Sequence, residues 1–346
     1  MKIAVHCPDN VSEFSFAPRW VSSFESKGIG VIKADLTSGD CIDKVRDVDG
    51  VMWHWFHIPD DKQVAPRILN VIENVMGIPV FPNFATRWHY DEKISQHYLF
   101  EALDVPKVPS WVFWHEEEAL KFVEKASFPL VFKSSVGAGS TGVMLVRNKD
   151  EAISVIGKMF GHGLYPNLYY NPEYMVPKIA SRAKQSLKYL LRKDVPRIQE
   201  TQPDWNYSLQ KNYVYFQKFL KDNPYDIRIT VIGDRAFGFV RHNRDNDFRA
   251  SGSGKIDYDL KKIPMKAVQI AKEISSKAGF QSMAYDFLYD EKRELNISEI
   301  SYGFLGSAVY NCSGYWGKDN KWVEGHYWPE ELQAEDFIEY ISRASK

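Results

Sequence analysis

The chain has 346 residues, enough for about two domains, and its 44% hydrophobic and 26% charged content excludes a disordered or collagen-like polymer. Its 44 Lys and Arg stand against 45 Asp and Glu, and the net charge of −1 excludes nucleic-acid binding driven by bulk charge. Cys7, Cys41 and Cys312 are too few and too scattered for a disulfide framework or a zinc site. No apolar run approaches the ~20 residues of a membrane span. The first ten residues, MKIAVHCPDN, read as a strand and lack the apolar centre of a secretion signal. A cytoplasmic, reducing setting without membrane insertion is the expectation.

Residues 1–85 alternate strand and helix signals: strand 2–6, helix 14–27 stopping at Gly28, strands 28–34 and 49–55, helix 66–77 with Pro66 at its start and Gly77 at its end, and strand 78–82. This β-α-β-α-β order predicts a small, mostly parallel sheet covered by helices. Helices follow over 86–103 and 116–126, the second with acids in its first turn. Strands 128–133 and 143–148 flank SSVGAGSTG, and Asp150 is placed as the cap of a helix over 151–160. Residues 181–195 have helix propensity and gather Arg182, Lys184, Lys188, Arg192 and Lys193, either a solvated face or a docking surface for an anion. Strand 213–220 leads to a hairpin turning at Gly233–Asp234. A helix over 263–279 and a second hairpin, 282–290 with 295–301, complete the order. The domain boundaries expected are 1–85, 86–220 and 221–346.

Two glycine runs invite a phosphate. GAGSTG (137–142) matches G-x-G-x-x-G, but a strand follows it where a dinucleotide-binding loop needs a helix. The unit is strand, glycine loop, strand, with Lys133 just before the loop. Such a flap can lay backbone N–H groups over phosphates, with Gly137, Gly139 and Ser140 at its tip and Lys133 adding a point charge; a plain hairpin turn is the alternative. FRASGSGK (248–255) fails as a Walker A loop because Ile256 follows Lys255.

The strongest signal is a pair of acids. If 291–294 is the loop of the last hairpin, Asp286 lies opposite Glu299, and Ser301 shares their face. Directly opposed Cβ atoms are about 4.5–5.5 Å apart, where like charges repel, so two buried acids there call for a cation or a shared proton. A hard divalent ion such as Mg²⁺ would satisfy both. Arg228, Arg241, Arg249 and Lys255 precede the pair and, gathered around it, would neutralise a transferring phosphoryl group.

Segments 90–111, 128–143, 215–220, 226–241, 246–255 and 282–301, in this order and spacing, resemble the ATP-grasp superfamily, and most of all its ribosomal-protein glutamate ligase branch and related ligases of bacterial surface-polysaccharide loci. The resemblance implies a mixed α/β and α+β chain. It has an N-terminal Rossmann-like sheet domain, a glycine-flap lid subdomain with a helical insertion, and a C-terminal catalytic subdomain, with ATP between the last two. It implies ATP and Mg²⁺ as cofactors. Lys93 and Lys133 would contact the phosphates, and Gln217, Lys218 and Leu220 would sit at the hinge beside the adenine. Asp286 and Glu299 would hold Mg²⁺, and Arg228, Arg241 and Arg249 would face the γ-phosphate. Two positions depart from the family pattern: Ser301 stands where Asn is usual, and Lys218 where Glu is common.

The chemistry implied is ligation of a carboxylate to an amine through an acyl phosphate, with the flap excluding water. Trp53, His54, Trp55, Phe56 and His57 end a predicted parallel strand, the end where ligands sit in open sheets. Residues 302–328 are rich in aromatics, including Tyr302, Phe304, Tyr310, Trp316, Trp322 and Trp328, which suit sugar stacking and core packing equally. A sugar acid of a glycan precursor is the favoured carboxylate and an amino acid or amino sugar the favoured amine, with protein or peptide modification the close alternative. A small-molecule kinase and a non-catalytic nucleotide-binding protein are the rivals, and a homo-oligomer is left open.

Overall fold

The computed structural model describes residues 1–57, 59–166, 208–245 and 247–344. The basic segment 181–195 lies outside them. The described chain forms two compact units, Met1–Val108 together with Leu220–Lys346, and Pro109–Phe219. The first therefore joins the expected N- and C-terminal segments and takes in 86–108.

The first unit opens with a four-stranded sheet. Strands β1 (Lys2–His6), β2 (Gly30–Ala34), β3 (Gly50–Met52) and β4 (Val80–Phe81) pair in parallel in the order β2-β1-β3-β4. Helix α1 (Ala17–Ser26) buries Ala17, Trp20, Val21 and Phe24, the i, i+3, i+4, i+7 stripe of an amphipathic helix, and Gly28 ends it with φ +70°. A short helix α2 (Cys41–Lys44) follows β2. Helix α3 (Pro59–Asn74) starts seven residues before the expected Pro66. Pro66 lies inside it and forgoes one helical hydrogen bond.

The expected helix 86–103 is two helices, α4 (Phe84–Arg87) and α5 (Lys93–Leu103). Asp91 between them has φ +46°, a left-handed conformation no helix can run through. Asn83 and Glu92 cap the two starts, accepting from Thr86 N and Ser95 N.

The second unit is an antiparallel sheet of β5 (Ser110–Phe113), β6 (Leu130–Lys133), β7 (Val143–Val146) and β8 (Val214–Lys218), ordered β5-β8-β6-β7. Helices α6 (Glu116–Val123) and α7 (Lys149–Phe160) complete it, and Phe122 packs against Trp111, Phe113 and Phe216. The cap of α7 is Asn148, which accepts from Glu151 N, rather than Asp150. Asp150 instead lies in the first turn, where its charge suits the helix dipole.

The rest of the first unit is a seven-stranded sheet. Its strands are β9 (Tyr225–Ile232), β10 (Arg235–His242), β11 (Ile256–Asp257), β12 (Ser282–Tyr289), β13 (Leu295–Ser301), β14 (Gly314–Trp316) and β15 (Trp322–Glu324), in the order β13-β12-β9-β10-β14-β15 with β11 against β10. Helix α8 (Met265–Ala278) runs from Pro264 to a left-handed Gly279. Short α9 (Gly306–Tyr310) and C-terminal α10 (Pro329–Ala344) follow. Strand parity decides what each face carries. Ile227, Ile229, Tyr285 and Phe287 join Ala267, Ala271 and Ile274 of α8 in one buried core. The alternate residues, Asp226, Arg228, Thr230, Ala284 and Asp286, face the other way.

Candidate active site

The charged face is built by register. Glu299 on β13 stands opposite Asp286 on β12, and Asp286 stands opposite Arg228 on β9. One step along the same face, Asp226 stands opposite Arg241 on β10. Two acids thus stand side by side on β13 and β12, and from β12 through β9 to β10 each acid faces an arginine. Arg228 grips Asp286 with two hydrogen bonds, Nε to Oδ1 at 2.7 Å and Nη2 to Oδ2 at 2.8 Å. Arg241 donates to both acids, at 2.7 Å to Asp286 Oδ2 and at 2.8 and 2.5 Å to Asp226. Burial alone would push the Asp286 carboxyl up, but the two guanidiniums outweigh it and hold the group well below the usual carboxylate range. Burial would likewise lower Arg241, and the two acids hold it above its ordinary value instead.

Lys93 begins α5 and is buried, with Nζ 3.4 Å from Glu299 Oε1 and 4.0 Å from Asp91 Oδ1. Lys62 reaches the same Asp91, at 2.7 Å to its carbonyl and 3.3 Å to Oδ2. The opposed acids are therefore served by cations of the protein itself: two arginines for Asp286 and Lys93 for Glu299.

The structure does not bring every expected residue to this point. Arg249 forks onto Asp247, two residues away, and Lys255 is exposed and paired with Asp245 at 2.7 Å. Of the four basic residues expected around the acids, Arg228 and Arg241 are there, and the other two engage acids of their own loop. Two positioning residues went unread. Asp226 follows from the hairpin turn at Gly233–Asp234, because that register sets it opposite Arg241. Gln96 of α5 is buried and clamps the backbone of Ile300, donating to its carbonyl at 2.8 Å and accepting from its N–H at 3.1 Å. It stands in for a missing neighbour strand and fixes β13 between Glu299 and Ser301. No local pattern signals it.

Whether the acids suit Mg²⁺ depends on their remaining lone pairs. Among the described residues no group of three or more His, Cys, Asp or Glu gathers as a metal cage. Mg²⁺ does not need one, because it takes one or two carboxylates together with water and phosphate oxygens. All three candidate donors are hard oxygens. Glu299 is partly exposed and meets a single lysine. Asp286 Oδ1 accepts one N–H where Oδ2 accepts two. The Ser301 hydroxyl donates its proton to Gly303 O at 2.8 Å, so toward a metal it can act only as a lone-pair donor. The set fits the ion through Glu299, with Asp286 Oδ1 and Ser301 in support.

In the second unit Lys133 is the buried last residue of β6. The glycine loop after it divides by role. A Cβ on Gly137 would lie 2.6 Å from Thr141 O, and one on Gly142 would lie 1.8 Å from Ser134 Oγ, so these two glycines serve the turn. A Cβ on Gly139 would meet nothing within 4 Å. Gly139 and Ser140 have φ of +60° and +70°, successive left-handed residues at the tip. Gln217 is buried on β8 with Nε2 on Ser110 Oγ at 3.1 Å, Lys218 ends that strand, and Leu220 is buried in the first unit.

The aromatic segments are mostly core. Trp53, Trp55, Tyr302, Phe304 and Trp316 are buried, as is His54, which stacks on Phe16 at 3.9 Å. Trp328 is covered by Tyr310 at 4.2 Å and by the Arg19 guanidinium at 3.2 Å.

Residues 92–169 match the family model described as the carbamoyl-phosphate synthase L chain ATP-binding domain. The α-aminoadipate–LysW ligase LysX of Saccharolobus solfataricus is 22% identical over 292 residues, covering 82% of this chain and 89% of that protein. Among solved structures, the D-alanine–D-alanine ligase of Bacillus anthracis complexed with ATP superposes with a TM-score of 0.57 at 14% identity, covering 99% of each chain. The RimK domain ATP-grasp protein of Sphaerobacter thermophilus superposes with a TM-score of 0.54 at 12% identity, covering 98% of this chain and 99% of that one. The fold is ATP-grasp.

Proposed function

We propose that this ATP-grasp carbon–nitrogen ligase uses ATP to activate a substrate carboxylate as an acyl phosphate and then joins it to an amine, releasing ADP and phosphate. The observation that carries the reading is the row Glu299–Asp286–Arg228 with Arg241 and Lys93 beside it. Preorganised guanidiniums held by buried acids keep their direction, so they can meet charge developing on phosphoryl oxygens without reorganising. Arg228 and Arg241 have that role, and Lys93 supplies a point charge that is now turned to Glu299. Glu299, with Asp286 Oδ1 and Ser301, would hold Mg²⁺, which when bound supplies Lewis-acid polarisation of phosphate oxygens. In the second unit Lys133 and the amides near Gly139 and Ser140 form a phosphate-binding loop.

The branch we favour is the ribosomal-protein glutamate ligase-like one. Two carboxylate classes remain. An amino acid or a peptide carboxylate is supported by the similarity to an α-aminoadipate–LysW ligase. A sugar acid of a polysaccharide precursor has weaker support, since most of the aromatics around 302–328 are spent on packing, and Trp322 on β15 is the exposed one among the large ones. The test is Mg²⁺-dependent ADP release against a panel of amino acids, peptides and sugar acids with hydroxylamine as a trap. A hydroxamate from one carboxylate is the expected result. ADP release with a stable phosphorylated product and no hydroxamate would make the protein a kinase.

A further inference from the structure

We infer that Tyr213 and Gln210 form a buried relay that sets the conformation in which the glycine loop binds ATP, which rests on the reading of that loop as a phosphate site. The loop leaves β6 after Lys133. One side of its stem is closed by Ser134, whose N–H donates to Gly142 O at 2.8 Å and whose hydroxyl donates to Val136 O at 2.6 Å. The next N–H, that of Ser135, turns away from the loop and donates to the Tyr213 hydroxyl at 2.6 Å. A phenol has one proton, and Ser135 N can only donate, so the Tyr213 proton goes to Gln210 Oε1 at 2.7 Å. Gln210 in turn donates through Nε2 to Ser208, at 3.0 Å to the carbonyl and 3.1 Å to the hydroxyl. Its backbone pairs in both directions with Leu164, just beyond α7, at 2.8 and 2.9 Å. Ser135, Tyr213 and Gln210 are all buried.

The direction runs from Ser135 N–H to the Tyr213 hydroxyl and from that hydroxyl to Gln210 Oε1. The relay therefore pins the backbone two residues after Lys133 to the frame of the unit, while Gly139 and Ser140 at the tip hold left-handed conformations with open space beside Gly139. A loop whose amides must converge on phosphate loses affinity when its stem is free to shift, because the ordering cost then falls on binding. Tyr213 and Gln210 are positioning residues, acting through Ser135, and nothing in the mechanism asks them to touch the nucleotide.

The experiment measures ATP affinity directly, together with the KM for each substrate and kcat, in the full chain. Tyr213→Phe keeps the ring and strands a buried N–H, and the expected result is an ATP Kd raised about five- to thirtyfold. The KM for carboxylate and amine and the kcat at saturating ATP should stay within about twofold of wild type, a split that a general loss of structure would not produce. Gln210→Met, which removes the acceptor for the Tyr213 hydroxyl, should act like Tyr213→Phe. Amide exchange in 134–142 should quicken in both variants, a readout independent of turnover. Wild-type ATP affinity in both Tyr213→Phe and Gln210→Met would overturn the relay alone. A wild-type protein that binds no ATP would overturn the phosphate reading of the loop, and the relay with it.

Discussion

The charged sheet of the first unit and the glycine loop of the second are both read as phosphate sites, and they are made in opposite ways. In the sheet the chemistry sits in side chains. Strand pairing, with one bulge on β12–β13, sets Glu299, Asp286 and Arg228 in a row with Arg241 beside it, and each buried charge is held by an opposite one. In the loop the chemistry sits in the backbone, through left-handed residues at the tip and a stem fastened by Ser134 and Ser135. A side-chain site tolerates little change in charge, and a backbone site tolerates little change in conformation. The two should therefore fail differently.

The largest expected effect is at Glu299. Glu299→Gln keeps the shape and removes the charge of the best-placed metal donor. Turnover should fall by about a thousandfold or more. Stability should change by only about 1–2 kcal/mol, because Glu299 is partly exposed, Gln keeps an acceptor for the buried Lys93, and Asp91 lies beside that lysine. ADP release and a thermal melt on the same preparation test both halves. Full activity would remove Glu299 from the site. Arg241→Met should do the reverse in emphasis. It strands Asp226 in a buried setting, while Asp286 keeps its two bonds from Arg228, and breaking a buried pair costs about 3–5 kcal/mol. Urea unfolding of the variant would show it. A stability loss under about 1 kcal/mol would mean that Asp226 finds water or a proton instead.

How far each region could be read from residues alone follows from the same contrast. Counting back from a four-residue loop pairs Asp286 with Glu299. The loop is one residue longer, since β12 ends at Tyr289 and β13 starts at Leu295, and a straight register from there would oppose Asp286 to Ser298. A bulge between Asp286 and Phe287 restores Glu299, with the Ser298 hydroxyl donating to Asp286 O at 3.2 Å. The expected pair is present for a reason the count did not contain. Asp226 opposite Arg241 was within reach, since a two-residue turn fixes its register. The placing of β12 beside β9 was not, because it joins residues nearly sixty positions apart and no local pattern encodes it. The break at Asp91 in the expected helix 86–103 was hidden for a different reason: Asp tolerates a left-handed conformation without demanding one.

Within the loop, two alanine substitutions sharpen the comparison at smaller cost. Gly142→Ala would drive a Cβ into Ser134 Oγ and break the stem, at about 1–3 kcal/mol of stability. Gly139→Ala meets no atom, so it should cost about 1 kcal/mol from its positive φ alone and weaken ATP binding more than folding. Paired melts and ATP titrations separate the two. If both variants lost stability equally and bound ATP equally, the division between turn glycines and a binding glycine would be wrong.

The smallest effect separates the units by acid. In the first unit, burial lowers His54 to about 3 and His89 to about 4, so both stay uncharged in the fold. A histidine lowered on folding gives its full stability above its ordinary value near 6.5. That stability is lost as pH falls from there toward the folded value, because the unfolded chain takes up a proton that the fold refuses. Each such group can contribute a slope of up to about 1.4 kcal/mol per pH unit over that window. His115 and His162 of the second unit are exposed, so the fold buries neither ring. Lowering the pH from 7 to 5 should therefore speed amide exchange in the strands around His54 and His89 before it does so in β5, β6 and β8, and His54→Phe should flatten the pH slope of the melt. Equal loss of protection in both sets of strands would place the acid-sensitive step elsewhere than in these two buried imidazoles.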